Sequence, residues 1–174
     1  MGAFASFDQS VREFKSRPLH KNMLMKMKPR IMPPTYFITF LVLLVCSHFI
    51  FPIKEIIFPP HNYVGIVLIL FGVIINLWAD ALFKKNEINV KPHEVPVKLL
   101  VSGPFRMSRH PMYLGMTSIL LGVAILLGSL VTFIFPMIFV VVMEIVFIPL
   151  EEKNLEKNFG EKYLAYKKKV RRWI

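Results

Sequence analysis

An almost unbroken apolar stretch, residues 112–150, is bounded by two polar motifs, Arg109-His110-Pro111-Met112-Tyr113 before it and Glu151-Glu152-Lys153-Asn154-Leu155 after it. One helix crossing roughly 30 Å of hydrocarbon needs about 20 residues at about 1.5 Å each, so the stretch is long enough for two. Gly128 and Ser129 divide it into arms 112–128 and 131–150. The spacing therefore predicts a membrane hairpin whose two polar ends meet on one face. An arginine, a histidine, a tyrosine and two carboxylates at that boundary suit a pocket that grips a charged, water-soluble cofactor while facing a lipid-soluble substrate.

Two further apolar runs, 36–53 and 63–83, precede the hairpin, and the first contains His48. With 55% hydrophobic residues and a mean hydropathy of +0.53, the 174-residue chain is too apolar for a soluble domain. Lipid cannot satisfy backbone N–H and C=O groups, so each span is a helix. The expected fold class is all-α: a polytopic membrane protein of about four transmembrane helices with a C-terminal cytoplasmic amphipathic segment. It divides into a basic leader (1–34), a first transmembrane hairpin (35–83) and a core of loop, hairpin and C-terminal helices (84–174).

The net charge of +11 is unevenly placed: seven Lys and Arg precede Tyr36, six lie between Lys84 and Arg109, eight follow Leu150, and only Lys54 sits in the two opposite loops. The positive-inside rule puts both termini and the central loop in the cytoplasm. Such basic segments serve a bilayer with anionic headgroups, and no stacking aromatic platform accompanies them, so nucleic acid is not an expected partner. The leader is read as cytoplasmic. Its opening Met1-Gly2-Ala3-Phe4-Ala5-Ser6 matches a loose myristoylation pattern.

Cys46 reads as a small core residue, and the five histidines show no ligand spacing, so no metal site is expected. Asn76 and Asp80 share a helical face, either as interface or as site. Pro111 suits the first position of a helix, whose free amides and positive dipole end favour an anion. Pro136 is expected to kink the fourth span. Glu144, about 9 Å inside that span by helical rise, needs a partner, either Asn76 or a bound ligand. After Leu150 a helix pair punctuated by Gly160 carries an apolar stripe, Leu155, Phe159, Tyr163, Tyr166, Val170 and Trp173, which docks on the membrane or on the protein's own core. Lys167-Lys168-Lys169 and Arg171-Arg172 are expected against anionic headgroups.

Residues 99–106 (Leu-Leu-Val-Ser-Gly-Pro-Phe-Arg), then Arg109-His110-Pro111-Met112-Tyr113, then Glu151-Glu152 through Leu155, Phe159-Gly160, Tyr163, Tyr166 and Val170 resemble the membrane methyltransferases. The resemblance is to the isoprenylcysteine carboxyl methyltransferase family, with phospholipid methyltransferases as relatives, and it runs from about Val90 to the C-terminus. It implies S-adenosylmethionine as cofactor, with contacts at Val97, Lys98, Leu99, Leu100, Phe105, His110, Pro111, Met112, Tyr113 and Glu151. A carboxylate such as Glu151 can accept from ribose hydroxyls or offset a sulfonium charge, and Arg109 or the third span's amino end can receive a carboxylate.

The implied function is methyl transfer to a lipophilic acceptor, a carboxylate, amine or thiol. An amine must lose a proton, so Glu144 or Glu152 is the candidate base, and Arg109 joins them as a candidate for the chemical step. Two departures bear on the acceptor. Phe147 stands where prenylcysteine enzymes carry an arginine for the substrate carboxylate, and Glu87-Ile88-Asn89-Val90 replaces a common glycine-threonine stretch. The rival readings are a sterol-reductase-like NADPH enzyme and a non-catalytic membrane scaffold. Oligomeric state is not legible.

Overall fold

The computed structural model describes residues 32–51, 54–86 and 98–174. The leader, its myristoylation pattern, Val97 and the 87–90 stretch lie outside the described residues. From Met32 onward the chain forms one compact unit.

Helix α1 (Pro33–Ile50) begins with two prolines in its first turn, where no intrahelical N–H is lost. Helix α2 (Val64–Lys85) follows a short 3₁₀ turn, His61–Tyr63. A second 3₁₀ turn, Gly103–Arg106, leads to α3 (Pro111–Leu127), with Pro111 opening the helix as the sequence predicts. Gly128 ends α3 in the left-handed conformation (φ 68°), its N–H donating to Ala124 O at 3.0 Å. A side chain there would also strike the carbonyl of Ile57.

After a 3₁₀ turn (Leu130–Phe133) comes α4 (Ile134–Val142), a π-helical turn (Met143–Phe147), α5 (Ile148–Phe159) and, beyond Gly160, α6 (Glu161–Lys169). Residues Leu130–Phe159 thus form one continuous helical run of 30 residues, carrying Glu151 and Glu152 on the same rod as the fourth span. The expected kink at Pro136 is not where the helix departs from α geometry. Pro136 lies in the first turn of α4, directly after the Leu130–Phe133 3₁₀ turn, where a proline is tolerated. The ladder widens instead just before Pro149, whose ring cannot donate to, and collides with, the carbonyl four residues back.

Helix α1, the 25-residue run His61–Lys85 and the run Leu130–Phe159 are each long and apolar enough to cross a membrane, and α3, with 17 residues, reaches the lower end of that range. The protein is an integral membrane protein. Helices α2 and α3 pack along a glycine seam: Gly65 faces Gly122 and Gly72 faces Gly115, with backbone against backbone. On the other side α1 lies on the α4 run, where Phe37 and Phe40 meet the fully buried Phe139, and Tyr36 sits edge-on to Phe147. At the turn end of the α3–α4 hairpin, Ile56 N–H donates to Gly128 O at 2.8 Å, joining the two short loops. Cys46 is exposed, not in the core, because it faces outward from α1.

Candidate functional site

At the opposite end of the hairpin the two polar motifs meet. The Tyr113 hydroxyl, one turn into α3, donates to Glu151 Oε1 in the first turn of α5. His110, which caps α3, lies with Nδ1 3.3 Å from Glu151 Oε2 and Nε2 3.6 Å from Glu152 Oε1, its ring stacked on Tyr113. Its backbone N–H donates to Ser108 Oγ at 3.1 Å. The Arg109 guanidinium places Nη1 3.1 Å from Glu152 Oε1, while its Nε meets no acceptor among the described residues.

Glu152 is the centre of this cluster, with its side chain only 6% exposed. Arg172 grips it in a fork, Nη2 to Oε2 at 2.8 Å and Nε to Oε1 at 3.2 Å, and Lys167 Nζ stands 3.7 Å from Oε2. A buried carboxylate is tolerated only when so surrounded. Glu151 is the more open of the two, 30% exposed. Burial alone would lower the His110 pKa, but the carboxylates of Glu151 and Glu152 outweigh it and raise the pKa above its ordinary 6.5.

The C-terminal segment contributes what sequence reasoning did not see. Helix α6 stops at Lys169, Val170 is extended, and the chain turns back along the loop before α3. Arg109 N–H donates to Arg171 O (3.1 Å), and Ser108 Oγ donates to Arg172 O (3.0 Å). Arg172 also donates through Nη1 to Glu144 Oε1, and the Trp173 indole N–H donates to Glu144 Oε2 at 2.9 Å. Two expectations are corrected here. Glu144 takes its partners from the tail, not from Asn76, whose Oδ1 is buried at the α2–α3 seam. Arg172 turns inward because the buried Glu152 and the half-buried Glu144 draw it in, leaving Arg171, Lys168 and Lys169 exposed.

The apolar stripe docks on the protein's own core. Tyr163 is fully buried, and the Tyr166 hydroxyl donates to Phe105 O at 2.6 Å, fastening α6 to the Gly103–Arg106 turn. Burial pushes both tyrosines up to about 12, the Glu152 charge adding to the effect on Tyr163.

Leu100 and Phe105 are buried with Ala79 against Leu82, Phe83 and Met112, an apolar cluster that seats the loop on α2. Lys98 is exposed, donating to Asn86 Oδ1 at 2.8 Å, and Leu99 is half-buried beside it. Pro111 is fully buried at the start of α3. Asp80 is apart from the site, paired with Lys84 at 2.6 Å on the surface of α2. No cluster of metal-ligating side chains occurs among the described residues.

Comparison with known proteins gives two findings. An uncharacterized protein of Haemophilus influenzae (strain ATCC 51907 / DSM 11121 / KW20 / Rd) is 41% identical over 63 residues, which is 36% of this chain and the whole of that protein. The phospholipid methyltransferase family model matches residues 61–162, more than half of the chain. The match encloses the glycine seam, Arg109 to Tyr113, Glu144, Glu151 and Glu152, while the Arg171–Trp173 tail lies beyond it. With its membrane helices and its paired polar motifs, the chain belongs to the phospholipid methyltransferase family, a family of membrane methyltransferases.

Proposed function

We propose that the protein transfers a methyl group from S-adenosylmethionine to a lipophilic acceptor at the mouth of the α3–α5 hairpin. The observation that carries this reading is the Tyr113–Glu151–His110 contact, which builds a half-open carboxylate between an aromatic ring, an imidazole and the amino end of α3. Those groups fit the cofactor's chemistry. Glu151, 30% exposed, retains lone pairs for ribose hydroxyls or an ammonium, and the Arg109 Nε suits a carboxylate. When bound, the cofactor supplies an electrophilic methyl for in-line displacement.

The acceptor approaches from the lipid side. Val141 and Ile145, 52% and 68% exposed, flank Glu144 on the helical run, so apolar surface adjoins the polar cluster directly. Phe147, where prenylcysteine enzymes carry arginine, is 4% exposed and sealed by Tyr36. Its apolar burial favours an amine or thiol acceptor over a carboxylate. Glu144 is the more open of the two candidate bases, its oxygens accepting from Arg172 and Trp173 at a partly exposed position, while the buried Glu152 is enclosed by Arg172, Arg109 and Lys167. Glu152 and Arg109 then act by holding the site's shape. The same reading places both termini and the 84–110 loop on the cytoplasmic face, supported by the distribution of lysine and arginine, with Lys168, Lys169 and Arg171 available to anionic headgroups.

Calorimetric titration of the purified protein in detergent tests the reading: S-adenosylhomocysteine binds and NADPH does not. Incubation with methyl-tritiated cofactor and membrane lipid extract then labels a lipid whose tritium stays non-volatile in base. Base-volatile label would mean a methyl ester and overturn the acceptor preference. NADPH binding alone would overturn the methyl-donor assignment.

A further inference from the structure

The π turn at Met143–Phe147 and the tail residue Arg172 meet at one point. In an uninterrupted α-helix, residues eight apart lie about 80° out of line, so Glu144 and Glu152 would point in different directions. The π turn between them takes i→i+5 hydrogen bonds and holds more residues per turn, which reduces that offset. Both carboxylates thereby reach a single guanidinium: Arg172 Nη1 on Glu144, and Nε and Nη2 on Glu152. The Trp173 indole holds the second Glu144 oxygen, and two hydrogen bonds from Ser108 and Arg109 fix the tail backbone behind them.

We propose that Arg172 is a positioning residue for the methyl-transfer site, a bridge that aims Glu152 and through it His110 and Arg109, while holding Glu144 at the lipid-facing mouth. The proposal rests on the functional reading for its consequence, though the bridge itself stands on geometry alone. Glu152 Oε1 is shared among Arg172, Arg109 and His110. Removing Arg172 leaves Glu152 with one neighbouring arginine, Lys167 at 3.7 Å and His110, so the imidazole is drawn toward Glu152 and away from Glu151. The groups facing His110 are Glu151 and Glu152 from α5 and Tyr113 from its own helix. Arg109 adjoins it in the chain, and Lys167 of α6 and Arg172 of the tail act on it through Glu152. An arginine suits such a bridge because its planar fork donates in several directions at once, which a lysine ammonium on one site cannot reproduce.

Two readouts separate this role from simple stability. In the unliganded protein in detergent micelles, the His110 ring titration followed by NMR moves up by about one pH unit in Arg172→Ala, because a cation beside Glu152 is lost. S-adenosylhomocysteine affinity falls about tenfold in the same variant. Arg172→Lys restores most of the titration midpoint, since the charge returns, but not the affinity, since one ammonium cannot span both acids. If Arg172→Ala does not fold, Arg172→Lys alone decides, with the affinity again about tenfold weaker than wild type. Folded Arg172→Ala with the wild-type midpoint and affinity overturns the proposal, as does full recovery of affinity by lysine. Failure of the wild-type protein to bind the probe would refute the cofactor reading, and the His110 titration would still decide the bridge.

Discussion

Helix α3 is held in two opposite ways. Along its length it meets α2 through glycines, where the contact is backbone on backbone and no side chain intervenes. At its amino end it meets α5 and the tail through long charged side chains, with Arg109, His110, Glu151, Glu152 and Arg172 forming one connected cluster. The seam is specified by atoms that are missing, so it is sensitive to volume and indifferent to charge. The mouth is specified by charge pairing in a poorly hydrated place, so its sensitivity is reversed. Helices in lipid gain little from burying apolar surface against one another, which is why a close-packed seam carries the framework and frees the mouth for polar groups.

The largest effect should come from adding volume to the seam. A Cβ at Gly72 would already fall 2.7 Å from Ile119 Cγ1 and 3.1 Å from the Ile119 amide nitrogen, with the Gly115 carbonyl also in the way. Gly72→Leu therefore forces α2 and α3 apart, exceeding the ~1–3 kcal/mol typical of core overpacking. The expected outcome is little folded, monodisperse protein on size exclusion in detergent, with Gly72→Ala intermediate. A Gly72→Leu protein melting within a few degrees of wild type would show that the helices do not approach so closely.

Next comes a change of charge at the mouth. Glu152→Ala leaves Arg109, 8% exposed, without its carboxylate and releases Arg172 from its fork, which costs about 3–5 kcal/mol for a broken buried pair. Thermal melting should show it, and adding Arg172→Ala should cost much less than the two single losses summed, because both act through one contact. Additive losses would mean that the two residues are independent and that the mouth is not one cluster.

The hairpin and the meeting of its polar ends were legible because both follow from length and polarity alone: an almost wholly apolar stretch of 39 residues bounded by two charged motifs leaves few other folds in lipid. Pro111 and Gly128 were legible as helix boundaries for equally local reasons. The seam was not recognised, although Gly65 and Gly72 repeat at the same seven-residue spacing as Gly115 and Gly122. That spacing is visible in the sequence, but which glycines face each other depends on the pairing of helices. The basic run around Arg172 points it to the membrane surface, because composition there speaks for solvent. Only the return of the chain after Val170 turns it inward, and a periodicity argument that assumes continued helix cannot see that turn. Pro149 carried a local signal for the π turn, but Pro136, lying deeper in the apolar run, drew the expectation of a kink.

The smallest effect separates the two regions by proton. His110 has a folded-state pKa above its ordinary 6.5: burial opposes the charged form, and the Glu151 and Glu152 carboxylates overcome it. Below pH about 6.5 the imidazole is protonated folded or unfolded, and its contribution to stability is fully present. As pH rises above that value the unfolded chain releases the proton first, and the contribution disappears as pH passes through the higher folded value. Melting temperature in detergent should therefore decline gently as pH is raised from 6.5, and His110→Gln should flatten the decline. Gly72→Ala should shift the whole profile downward and keep its slope, because nothing in the seam titrates. A seam variant that lost the slope, or a His110→Gln protein that kept it, would show that the proton is exchanged elsewhere and that the two contacts of α3 are not separable in this way.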